Sequence, residues 1–202
     1  MSAVTPARSA VAAWSRRVRR VGGLIQLAFA AFWLIRGSLV VGGGTGLTLG
    51  VAAAMLAVTA AVYGIRATAG VAARPTGREA GRIERAVTVA TALQLVASFA
   101  APAAVLAAGQ PDWVLPSIAV TIGPLLLWLD HRVDVPRYRP AGWALIAGPV
   151  VLVAALSGTA LTATTGIAAG VLLMACAVAG FHDLAGLPRP DLGSAAPVDG
   201  RM

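Results

Sequence analysis

The chain has no lysine, a single cysteine and only eight acidic residues among 202. The lone Cys176 excludes an internal disulfide framework and any zinc site built on several cysteines. Charged residues of all kinds amount to 12%, about half of what soluble domains carry. Phe, Trp and Tyr together reach 5%, and no zinc finger, RNP motif or basic helix interleaved with stacking aromatics is present. The net charge of +8 is therefore not a nucleic-acid signature, and no nucleic-acid partner is expected. HExxH, Asp-rich and paired-Cys patterns are missing too, so neither a metal nor a cofactor is expected.

What is there is apolar. Hydrophobic residues make up 58% of the chain, and six runs are long enough, or nearly so, to cross a bilayer, which takes ~20 apolar residues or somewhat fewer with snorkelling flanks. These are Val21–Ile35, Leu47–Ile65, Ala86–Ala108, Trp113–Leu129, Ala141–Leu156 and Leu161–Phe181. Ala, Leu and Gly dominate them without period-two alternation, which predicts helices and not barrel strands. The first run is short, but Arg20 and Arg36 bracket it and can reach opposite surfaces. The domain expected is 14–187, between disordered tails at 1–13 and 188–202 that lack apolar periodicity. The partner expected first is the lipid bilayer itself.

Arginine sets the direction. Fifteen of the sixteen fall in the N-terminal segment, in the connections after runs two and four, and in the C-terminal tail; only Arg36 lies on the other side. The positive-inside rule then places both termini in the cytoplasm. Arg used to the exclusion of Lys, with abundant Ala, is the habit of a GC-rich bacterial genome, so a bacterial inner membrane is expected. "SRRVRR" (15–20) resembles a twin-Arg export signal, but no cleavage site follows and five more apolar runs do, which predicts a retained first helix.

Short Gly-rich connections at Gly37–Gly46, Gly109–Asp112 and Ser157–Ala160 suggest three helical hairpins. Residues 50–70 and 166–186 share nine of 21 positions, including Gly50/Gly166 and Gly64/Gly180. That is a candidate internal repeat of runs two and six, which would run in the same direction. Gly46/Gly50 and Gly166/Gly170 are GxxxG strips that admit a close neighbour, either within the chain or across a homo-oligomer face. Gly123-Pro124 and Gly148-Pro149 interrupt runs four and five and free the carbonyls of Val120 and Leu145. Trp33, Trp113, Trp128 and Trp143 sit near run ends and read as interface anchors.

The candidate site is the group Asp130, His131, His182 and Asp183, with Arg66 nearby, because these residues follow the three even-numbered runs directly. Two acids and two imidazoles at one depth could shuttle protons or hold a cation. They could equally be a solvated boundary whose acids pair with Arg132, Arg137 or other loop cations. Adjacent Asp and His point about 100° apart on a helix, unlike ligands four residues apart, which favours the boundary. Gln26, Thr59, Tyr63, Thr88, Thr91, Gln94, Ser98 and Thr121 are the polar groups inside the runs and read as interhelical hydrogen bonders. Acids and bases are absent from the runs, which speaks against an ion-coupled pump.

The three-hairpin plan, with Arg before odd runs and Gly-rich ends on even ones, resembles the small HdeD-type bacterial membrane proteins. "LPSIAVTIGPLLLWLDHRVDVPRYRPAGWALI" (115–146) is similar to stretches of uncharacterised six-span bacterial proteins. Both resemblances imply a membrane helix bundle and bring no catalytic residues. Three functional classes follow. The chain is a permease-like or accessory bundle that handles a lipophilic or other small molecule. Alternatively it is a membrane enzyme of the terpenoid-cyclase kind with Asp130 or Asp183 as acid, although its aromatic lining is thin. A third class is a self-assembling or regulatory membrane protein. If the arginine count sets the topology, a reporter fused after Met202 reads as cytoplasmic and one inserted in 37–46 as external; the reverse pattern refutes it.

Overall fold

The computed structural model describes residues 6–68, 78–133 and 137–185. All regular structure among them is helical: α1 (Pro6–Val41), α2 (Gly43–Ala67), α3 (Arg78–Ala107), a 3₁₀ turn (Pro111–Trp113), α4 (Val114–Val133), α5 (Tyr138–Ala155) and α6 (Gly158–Ala185). Six stretches are long and apolar enough to cross a membrane: Arg20–Val41, Gly43–Ala67, Val87–Ala107, Pro111–His131, Tyr138–Ala155 and Gly158–Ala185. A helix meets every backbone hydrogen bond within itself, which hydrocarbon demands. The outer surface suits that solvent: Phe99 is 72% exposed and Met55 66%, and such apolar display in water marks an aggregation hazard.

The helices are longer than the apolar runs. The loop expected at Gly37–Gly46 is a single residue, Gly42. Gly42 and Gly43 take φ of 77° and 59°, a left-handed conformation that costs glycine nothing. Gly46 already donates to the Gly42 carbonyl at 3.0 Å, so α2 begins at once. Arg36 therefore lies inside α1 and not at its end. The same happens at Ser157–Ala160, where α6 starts on Gly158 at φ 57°. At the N-terminus α1 begins at Pro6, so 6–13 is helix where a disordered tail was expected. Residues 1–5 and 186–202 lie outside the described residues, as do the last positions of both repeat segments. Pro124 and Pro149 stay inside continuous helices, and so does Pro102 of α3, which hydropathy alone did not single out.

The centre of the bundle is α6, which touches α1, α2, α4 and α5. Its most extensive contact is with α1; α4 packs most against α5, and α3 is held by α4 and the 3₁₀ turn. The helices thus form two sets, α1–α2–α6 and α3–α4–α5, joined mainly where α6 meets α4 and α5.

Lipid tails are as apolar as leucine, so nothing hydrophobic drives these helices together; close van der Waals contact must. Glycine provides it. A methyl group placed on Gly37 would lie 2.8 Å from the Ile167 backbone nitrogen, and one on Gly166 would lie 2.7 Å from the Gly37 Cα. One turn further along α6, a methyl on Gly170 would meet the Leu34 nitrogen at 2.8 Å and the Ala30 carbonyl at 3.0 Å. A methyl on Gly46 would lie 2.7 Å from the Ser38 carbonyl, so α2 approaches the other flank of α1 in the same way. Both GxxxG strips are covered by α1.

At the far end a ring takes over. Phe181, fully buried, lies against Gly23 of α1 and Gly64 of α2, where added methyls would come within 2.7 and 2.5 Å of it. Gly23 opposite Phe181 and Gly37 opposite Gly166 make α1 antiparallel to α6. Gly46 beside Ser38 and Gly64 near Gly23 make α2 antiparallel to α1, hence parallel to α6. In the second set Gly142 of α5 faces Gly123 of α4; a methyl on Gly142 would meet Leu127 Cγ at 2.8 Å. Gly166→Ala, whose methyl would press on backbone that cannot swing away, should cost about 1–3 kcal/mol of stability. Gly148→Ala, with no atom within 4 Å, should cost none. Thermal unfolding of the purified protein compares them; equal melting temperatures would contradict the seam.

Candidate functional site

Register fixes where the Asp and His residues fall. The start of α1's span meets the end of α6 through Gly23 and Phe181, and the end of α2 meets the same ring through Gly64. Arg137, the residue before α5, reaches Asp183 on the last turn of α6, and α4 ends just ahead of Arg137 in the chain. Arg66, Asp130, His131, His182 and Asp183 therefore all sit at one end of the bundle.

Within that end the groups divide. Asp183 and Arg137 form an ion pair, with the carboxylate accepting from the guanidinium. Gly180 makes room for it: a methyl there would lie 3.2 Å from Arg137 Nη2, so the arginine lies across α6 at Gly180 and closes on the residue three positions further. Asp183 is exposed while Arg137 is mostly covered. Asp130 is half-buried, and His131, His182 and Arg66 are exposed. Among the described residues no three His, Cys, Asp or Glu side chains come together in a way that could hold a metal ion. The arrangement fastens α5 to α6, and so one helix set to the other.

The interior polar residues behave unequally. Gln94 of α3 donates to Ser98 at 2.8 Å and to Thr121 of α4 at 3.3 Å, and Thr121 donates to the Ile118 carbonyl at 2.7 Å. Of these, the Gln94–Thr121 bond is interhelical, as expected, and it ties α3 to α4. Thr59 and Thr91 bond back within their own helices, to Met55 and Val87. Gln26 departs from the expectation. It is 8% exposed, and among the described residues its Nε2 has no hydrogen-bond partner. Thr165, buried on α6, is in the same position. Sequence reasoning had no signal for Thr165, because back-bonding to the preceding turn is the ordinary fate of a helical threonine.

Trp33 also needs correcting. It is 1% exposed and belongs to the core, because α1 continues to Val41 and leaves it mid-helix on the face shared with Ala30, Leu34 and Gly37. Trp113 and Trp143 are exposed and Trp128 half-buried.

No known protein family matches the chain, and neither a curated protein nor a solved structure matches it significantly. The ion pair sits at the surface, where such pairs contribute about 0–1 kcal/mol. Asp183→Asn and Asp130→Asn should each shift unfolding by no more than about that amount. A loss of several kcal/mol in either variant would show that the acid is a structural keystone.

Proposed function

We propose that the chain is a multi-pass bacterial inner-membrane protein, with both termini in the cytoplasm, that serves as a permease-like bundle for a small molecule. The observation that carries this reading is the division into two helix sets. Glycine contacts join α1, α2 and α6 in one set and α4 to α5 in the other, while the junction between the sets is narrower. Such a junction is where one half of a bundle rocks against the other in alternating access. The connections Gly42 and Leu156–Ser157 are too short to build a soluble domain at the end of the bundle away from Arg137, so recognition falls to the membrane interior or to the Arg-rich end. The three-hairpin plan and the repeat of α2 and α6 fit the same picture: both helices run in one direction beside α1.

The enzyme reading is second. Arg137 engages the carboxylate of Asp183, which leaves the half-buried Asp130 as the candidate acid. An accessory or self-assembling role is third; with both GxxxG strips against α1, a homo-oligomer through Gly46/Gly50 or Gly166/Gly170 would have to displace that helix. Spin labels at Met55→Cys on α2 and Val151→Cys on α5, in a Cys176→Ser background, test the first reading. Both positions are exposed and lie in different sets. A permease-like bundle in lipid nanodiscs should give two distance populations; one narrow distance would favour a static accessory protein.

A further inference from the structure

We propose that the face of α6 turned toward α4 and α5 lines a path for a small uncharged molecule, with Thr165 as its hydrogen-bonding contact. The starting point is a hydroxyl out of place. Helical threonines ordinarily return their hydroxyl to the carbonyl four residues back, and Thr48, Thr59, Thr68, Thr91 and Thr162 all do so. Thr165 is 1% exposed, yet its Oγ1 bonds neither to its own helix nor to any other described residue. An enclosed hydroxyl in that state works against folding. Valine would fill the position with no such conflict.

The turn of the helix says which neighbour the hydroxyl faces. Thr165 and Asp183 are eighteen residues apart, five full turns at about 100° per residue, so they share one line along α6. Asp183 meets Arg137 at the start of α5, and Gly180 gives that arginine its room. Cys176, one turn before Gly180, carries the line back into the membrane. Gly166 and Gly170, which receive α1, lie about 100–140° to the side. At the Thr165 end, α6 also meets the 3₁₀ turn. Thr165 and Cys176 therefore belong to the junction between the sets and not to the glycine seam.

The junction is closed in this structure, which leaves the hydroxyl enclosed; parting of the sets uncovers it. Chemistry selects the occupant. From Gly158 to Phe181, α6 has no acid or base, so a charge on this face would cross the membrane without a counter-charge. Thr165 offers one donor and an acceptor, while Leu161, Ala169, Leu172 and Cys176 on the same side are apolar. The occupant is a neutral molecule with one polar group on an apolar body. This assignment rests on the permease reading, since it needs the two sets to separate.

The test uses the native Cys176 of the full chain in nanodiscs and a hydrophilic methanethiosulfonate, which reacts with the thiolate and so needs water at the sulfur. The control is Met174→Cys in a Cys176→Ser background: Met174 is two residues away and as buried as Cys176, but on the opposite side of α6. Cys176 should react at about 0.1–10% of the rate of an exposed thiol, the population of a minor open state, and Met174→Cys should not react detectably. Benzyl alcohol, a neutral probe of the stated kind, should slow the reaction, and benzyltrimethylammonium should not. Thr165→Val keeps the shape and deletes the hydroxyl. It should weaken protection by benzyl alcohol about tenfold, the effect of one lost hydrogen bond, with melting unchanged or raised.

An inert Cys176, or equal reaction at both positions, overturns the path. Cys176 needs no substitution, so it still decides if Met174→Cys fails to fold. Protection by the cation, none by benzyl alcohol, or protection that Thr165→Val leaves intact overturns the assigned contact and ligand class. Lower melting in Thr165→Val does so too, by showing that the hydroxyl has a partner inside the protein. Two spin-label distances between the sets beside an inert Cys176 would leave the permease reading standing without this path; a single distance would remove both.

Discussion

Because hydrocarbon offers helices no hydrophobic reason to associate, this bundle depends on the line along which α1 and α6 meet backbone to backbone. Gly37 against Gly166 and Ala30 against Gly170 bring the two helices closer than any side chain would allow. The rest of the arrangement follows from that line. With α1 fixed, Gly46 brings α2 against its other flank, and Phe181 closes the far end by filling the space left by Gly23 and Gly64. Because α1 and α2 already occupy part of its surface, α6 presents its remaining face to α4 and α5. The second set is built around its own glycine pair, Gly123 and Gly142, and carries α3 through Gln94.

That order of dependence bears on function. A bundle with glycine contacts at the heart of each set, α1 on α6 and α4 on α5, and a narrower junction between sets has an obvious place to move. The junction has a polar fastening, Arg137 on Asp183, at one end, and no comparable ion pair among the described residues at the other. The orphan amide of Gln26 lies on α1, in the set that α6 joins to α4 and α5.

Much of this was legible in the sequence, for a physical reason. Length and hydropathy must match the bilayer, so the six helices could be read directly, and the arginine count gave a direction to test. The GxxxG strips announced close contact but not its partner: the choice between Gly37 of the same chain and a second copy is made in three dimensions. Helix ends were misplaced because glycine is ambiguous. The stretch 37–46 resembles a loop in composition, yet of its five glycines Gly37 and Gly46 serve helix contact, while Gly42 and Gly43, both at positive φ, turn the chain. Trp33 was misjudged as a consequence, since its depth depends on where α1 ends. Among the candidate site residues, the sequence placed Asp130, His131, His182 and Asp183 at one end of the bundle and named Arg137 among the cations that its acids would pair with, but could not choose Asp183 as its partner, which requires the room made by Gly180. Gln26 and Gln94 carry the same signal in sequence, and only packing separates the satisfied amide from the orphan.

If the α1–α6 line supports the structure, its backbone should be the last to open. Hydrogen exchange of the full chain in nanodiscs measures this directly, because local opening reports how strongly each segment is held. The account predicts the slowest exchange at Ala30–Gly37 and Gly166–Gly170, and the earliest opening in α3, which among the long helices packs chiefly on α4. Protection of α3 equal to that of α6, or exchange beginning at the α1–α6 line, would contradict it.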